Sequence, residues 1–141
     1  MKNKNQEKKR KIKEDFFHER GYTLIYIYIS PSYIFENLCV RDLRVYANVL
    51  DGDVYHYRDK TGLECDAVIH LRNGKYGLIE VKLGGDDLIN EGAASLLKLS
   101  DRIDTTKMSK PSFMMVLCGI APFAYRREDG VFVVPISCLK D

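Results

Sequence analysis

The sequence predicts an α/β (or α+β) domain: a mixed sheet flanked by helices. Three observations carry that expectation. The segments "VYHYR", "LECDAVIHL" and "KYGLIEVKL" form a meander separated by turn chemistry. Helix-period segments lie on either side of it, and a further apolar strand, "SFMMVLCG", follows the second helix. With 141 residues, 45% hydrophobic and 30% charged, the chain is long enough to bury a core of that kind as one domain.

In chain order, residues 1–14 hold seven Lys and Arg against Glu7 and Glu14, and read as a basic, disordered tail. The remainder holds 15 basic against 18 acidic residues, so the net charge of +2 belongs to the tail. A slightly acidic body does not grip nucleic acid by charge alone. Residues 15–32 form an N-terminal arm. Within it, "YTLIYIYI" (Tyr22 to Ile29) reads as a strand of β-branched and aromatic residues. Left bare, such a segment aggregates, so it is expected to pair inside the domain or to join a second copy as a homodimer.

The domain proper is expected over 33–141. "SPSY" offers Ser30 or Ser32 as a helix cap, and Tyr33 to Leu50 is the clearest helix. Asn37, Arg41, Arg44 and Asn48 fall on a narrow polar face. Ile34, Phe35, Leu38, Leu43, Val45, Tyr46, Val49 and Leu50 spread over a wide apolar arc, expected to pack on the sheet. Glu36 and Asp42 fall inside that arc. After the meander, "GGDD" opens a second helix running to about Ile103, with Asp86 or Asp87 as its cap. Its small, apolar middle, "EGAASLL", lets it approach a sheet closely. A hairpin around Asp129-Gly130 closes the fold.

The meander carries charges where it should be buried. Glu64, Asp66, Glu80 and Lys82 sit among Leu63, Ala67, Val68, Ile69, Leu78, Ile79 and Val81. Burying an ionised carboxylate costs several kcal/mol, on the order of 3–5 when uncompensated. Strand parity decides whether these charges meet. A two-residue Asn73-Gly74 turn puts Asp66 and Glu80 on opposite faces. A three-residue loop, with Gly74 left-handed, puts Asp66 opposite Glu80 and Glu64 opposite Lys82. Only the second register gathers the charges. Gathered, two carboxylates raise each other's pKa unless a hard cation lies between them, and Asp66, Glu80 and the Val81 carbonyl suit Mg²⁺. Lys82 is then placed to orient a water or to stabilise phosphate charge. The bland reading of the same residues is a structural ion-pair cluster, with Glu64 as the partner of Lys82 and with His56 and His70 as ordinary half-buried histidines.

A helix glutamate, a strand aspartate and then E-x-K resembles the PD-(D/E)xK nuclease superfamily; here these are Glu36, Asp66 and Glu80-Val81-Lys82. The wider run, from "FENLCVRDLRVYA" through "LECDAVIHLRNGKYGLIEVKLGG" to "VFVVPISCLK", resembles the C-terminal domain of unknown function numbered 4143, found behind AAA-type ATPase modules in bacteria and archaea. That resemblance covers about residues 33–140. It implies a restriction-endonuclease-like core and, if the site is active, hydrolysis of DNA or RNA with Mg²⁺ or Mn²⁺ held by Asp66, Glu80 and Val81. Asp66, Glu80, Lys82 and Glu36 are then the catalytic set. It implies equally a non-catalytic module that pairs with an ATPase partner. No G-x-x-x-x-G-K-[ST] loop is present, so the chain has no ATPase site of that type.

Cys39, Cys65, Cys118 and Cys138 lie far apart with no CxxC spacing, which argues for a reducing, cytoplasmic setting and against zinc. No apolar run reaches the length of a membrane span, and no membrane partner is expected.

Overall fold

The computed structural model describes residues 31–139; the basic tail, Ser30 and the expected strand Tyr22 to Ile29 lie outside them. Helix α1 spans Pro31–Val49. Proline suits the first helical position because its φ is preset and its missing N–H has no helical partner there. Ser32 therefore lies inside the helix rather than capping it, which corrects that one of the two expected caps; the other, Ser30, falls outside the described residues. α1 buries Cys39, Leu43 and Ala47 against the sheet. The rest of the expected apolar arc divides. Phe35 and Val40 pack at its margin, while Ile34, Leu38, Val45, Val49 and Leu50 are exposed. A helix lying on a sheet buries one stripe, and among the described residues nothing covers the opposite one.

Strands β1 (Gly52–Arg58), β2 (Glu64–Leu71) and β3 (Tyr76–Gly84) form the expected antiparallel meander. The β2–β3 connection takes the three-residue form. The Leu71 N–H donates to the Lys75 carbonyl at 2.8 Å, and the Gly74 N–H donates to the Leu71 carbonyl at 3.0 Å. Gly74 has φ +84°, a left-handed conformation that glycine adopts without steric cost. The resulting pairs include Val68 with Leu78 and Ala67 with Ile79. Since Gly74 is exposed and a Cβ there would meet no neighbour, Gly74→Ala should cost only the backbone term, about 1 kcal/mol, measurable by urea unfolding.

Helix α2 (Asp86–Asp101) leads from β3 to β4 (Phe113–Ile120), which runs parallel to β3. Gly85, not an aspartate, occupies the N-cap, with φ +93° and no side-chain cap; Asp86 and Asp87 lie in the first turn, where their charge complements the helix dipole. A short edge strand β5 (Tyr125–Arg126) and β6 (Phe132–Pro135) complete a six-stranded mixed sheet in the order β1-β2-β3-β4-β6-β5. The hairpin between them turns at Gly130, φ +88°, where Asp129 Oδ1 accepts the Val131 N–H at 3.1 Å.

Two cores lie on the two faces. α1 covers Ala67, Ile79, Val81, Met115 and Leu117; α2 covers Leu78, Val116 and Cys118, together with Leu63, Cys65 and Val133. Burial on both faces explains the nearly unbroken apolar run of β3. The small middle of α2 does what its composition implies. A Cβ at Gly92 would lie 3.3 Å from Lys82 Cε and from Val116 Cγ2, and 3.4 Å from Glu80 Cβ, so the helix backbone passes directly over these residues. No helix among the described residues is long and apolar enough to cross a membrane.

Candidate active site

The site is a place where a ladder breaks. The β2–β3 pairing ends at Ala67–Ile79; continued in the same register it would next set Asp66 opposite Glu80 and then Cys65 opposite Val81. In a continued ladder the Cys65 carbonyl would accept the Val81 N–H, in step with the Leu71 N–H that donates to the Lys75 carbonyl six residues away along each strand. That bond is replaced. β2 carries an extra residue against β1, with Tyr55 paired to Val68 but Tyr57 to Cys65. This bulge turns Cys65 into the core under α2, where its thiol donates to the Ala67 and Ile79 carbonyls, 3.4 Å each. The Asp66 carboxylate takes over, with Oδ2 accepting the Val81 N–H at 2.7 Å. The Asp66 carboxylate also lies close enough to Glu80 for its charge to act on that side chain.

Glu80 is only 5% exposed. Its pKa is pushed up to about 7, first by burial and then by the Asp66 charge, against the opposing pull of Lys82. Burial also raises Asp66, although the Val81 hydrogen bond, Lys82 and His56 hold it down. Lys82 Nζ lies 3.4 Å from Glu80 Oε2 and 3.5 Å from Glu91 Oε1. Burial disfavours its ammonium, but Glu80, Glu91 and Asp66 outweigh that and lift its pKa. Glu36, half-buried on α1, is raised by burial and next by Asp66, which puts it in the same electrostatic cluster and not on a solvated helix face.

Asp66, Glu80 and Lys82 are thus brought together, while Glu36 stays on α1, within reach of the Asp66 charge but without a hydrogen bond or ion pair to the other three. Val81 contributes its N–H, and its side chain is buried under α1. Glu64 is a correction: it pairs with Arg58 at 3.0 Å and not with Lys82, because the β2–β3 ladder ends at Ala67 and the bulge carries Glu64 toward β1. Two members escape sequence reasoning. Glu91 precedes the glycine that lets α2 close on Lys82, so the small-residue patch was its available signal. His56 lies opposite the bulge and acts on both Glu36 and Asp66, and no sequence pattern marks it. Among the described residues, no three His, Cys, Asp or Glu side chains converge closely enough to hold a metal ion by themselves.

The fold and site define a class: an α/β domain with a carboxylate–lysine cluster at the break in a hairpin ladder. The chain belongs to the family described as Domain of unknown function (DUF4143), which matches residues 32–139. No curated protein and no solved structure matches it.

Proposed function

We propose that this domain is a PD-(D/E)xK-type nuclease module, hydrolysing phosphodiester bonds of DNA or RNA with Mg²⁺ or Mn²⁺. One observation carries the reading: at the ladder break Asp66 accepts the N–H of Val81, the residue after Glu80, at 2.7 Å, and Lys82 Nζ lies 3.4 Å from the Glu80 carboxylate. The donor set fits a hard divalent cation. Two adjacent carboxylates leave negative charge that a cation would neutralise, and Mg²⁺ keeps most of its waters, so one or two protein carboxylates suffice. Asp66 and Glu80 would hold it, with the Val81 carbonyl and water completing the shell. A cation bound there polarises a phosphoryl oxygen and makes a bound water more acidic. Lys82, kept cationic by its three carboxylate neighbours, presents positive charge to a phosphate. Glu36, whose carboxyl is raised by burial and by Asp66, would serve as the proton acceptor on the α1 side.

A specific observation favours a second reading, a non-catalytic module that pairs with an ATPase partner. Lys82 already neutralises Glu80, and no three ligand side chains converge among the described residues. A nuclease assay separates the two. On supercoiled plasmid and on single-stranded DNA with Mn²⁺, the nuclease reading expects cleavage by the wild type and none by Lys82→Ala. Intact substrate with both proteins favours the interaction module.

A further inference from the structure

The stripe of α1 that faces away from the sheet has an internal symmetry. Ile34, Leu38, Val45 and Val49 are 50%, 43%, 61% and 78% exposed, an unusual apolar load for one face of a surface helix. At ~100° per residue they fall within an arc of about 60°. Arg41 and Asp42 flank that arc at its midpoint, where Asp42 Oδ1 accepts from Arg41 Nη2 at 2.8 Å and Nε at 3.0 Å. The order along the helix is symmetric about the point between Arg41 and Asp42. Ile34 and Val49 are equidistant from it, and so are Leu38 and Val45. Two such helices laid antiparallel across a twofold axis at that point would match Ile34 to Val49 and Leu38 to Val45. Each Arg41 would meet the Asp42 of the other copy. Apolar residues meet apolar ones, and each charge meets its opposite, twice over.

We propose that this stripe is a self-association surface and that its occupant is the α1 helix of a second copy. A twofold interface requires one patch to complement itself, and a patch whose charges are exchanged by the axis does so. Val45 also borders a shallow groove formed with Arg44, Asn48, Gly52, Asp53 and Val54, which gives the partner helix a flank to rest against. The stripe is about 22 Å long, so the contact lies at the small end of specific interfaces, below ~1,200 Å² in total. The dimer is accordingly expected at tens of micromolar, not nanomolar. Glu36 and the core residues Cys39, Leu43 and Ala47 face the sheet, so the candidate active site stays open in the dimer.

Sedimentation equilibrium on the full chain up to ~100 µM tests this, that range following from the interface size. The wild type should dimerise. Leu38→Glu, at a half-exposed position whose change leaves the core untouched, should raise the dissociation constant ~100-fold or more, since the axis repeats the substitution. Arg41→Asp alone should weaken the dimer ~10-fold by gathering carboxylates at the axis, and the double swap Arg41→Asp/Asp42→Arg should restore it. A wild type that is monomeric throughout this range would overturn the proposal. So would a dimer indifferent to Leu38→Glu, which would place the contact on another surface, or a double swap no better than the single change.

Discussion

Asp66→Asn should leave the fold intact and lower phosphodiester cleavage on the order of 10³-fold. The reasoning separates the two jobs of this side chain. An asparagine oxygen can still accept the Val81 N–H that closes the broken ladder, so the bulge keeps its geometry. What is lost is the negative charge that, with Glu80, would hold a divalent cation. Asp66→Ala loses both. It leaves the Val81 N–H without its acceptor in a mostly buried site, and should therefore also cost about 1–3 kcal/mol of stability. The pair of variants distinguishes a site residue from a purely structural one. If Asp66→Asn cleaves like the wild type, the carboxylate's charge has no catalytic part.

The second large effect is a pH dependence centred on Glu80. Its folded pKa is raised to about 7 from an ordinary value of 4.5, chiefly because it is buried. Between those values the folded chain keeps a proton that the unfolded chain releases. The stabilising contribution is therefore complete below pH 4.5 and is lost as pH rises through 7. Glu80→Gln carries no titrating group there. It should match the wild type in acid and exceed it above pH 7, by on the order of 2 kcal/mol. Thermal or urea unfolding at pH 4.5 and pH 8 measures the difference. A cation at the site would favour ionised Glu80, so added Mn²⁺ should narrow the gap at pH 8 by stabilising the wild type alone.

Much of this was legible in the residues. The meander, both helices and the later strands follow from apolar periodicity and from turn glycines, and the parity of Asp66 and Glu80 pointed to a three-residue loop at Gly74. What was not legible depends on tertiary pairing. The β2 bulge arises from how β1 pairs with β2, and local composition does not encode a two-against-one count. That bulge sent Glu64 to Arg58 and brought His56 to the cluster. The α1 arc was over-read for a similar reason. Periodicity identifies apolar residues, but a helix lying on a sheet can bury only the stripe around Leu43, and the sequence does not reveal which other element, if any, covers the rest.

The measurement that bears most directly on the central claim is a calorimetric titration of Mn²⁺ into the wild type and Asp66→Asn at pH 8, where Glu80 is mostly ionised. The account predicts saturable binding of one ion by the wild type. It predicts none by Asp66→Asn over the same range, with the metal-free variant unfolding no more easily than the metal-free wild type, because the substitution removes a carboxylate whose burial disfavours its charge. Equal binding by both proteins, or none by the wild type, would contradict the assignment of the broken β2–β3 ladder as a cation site.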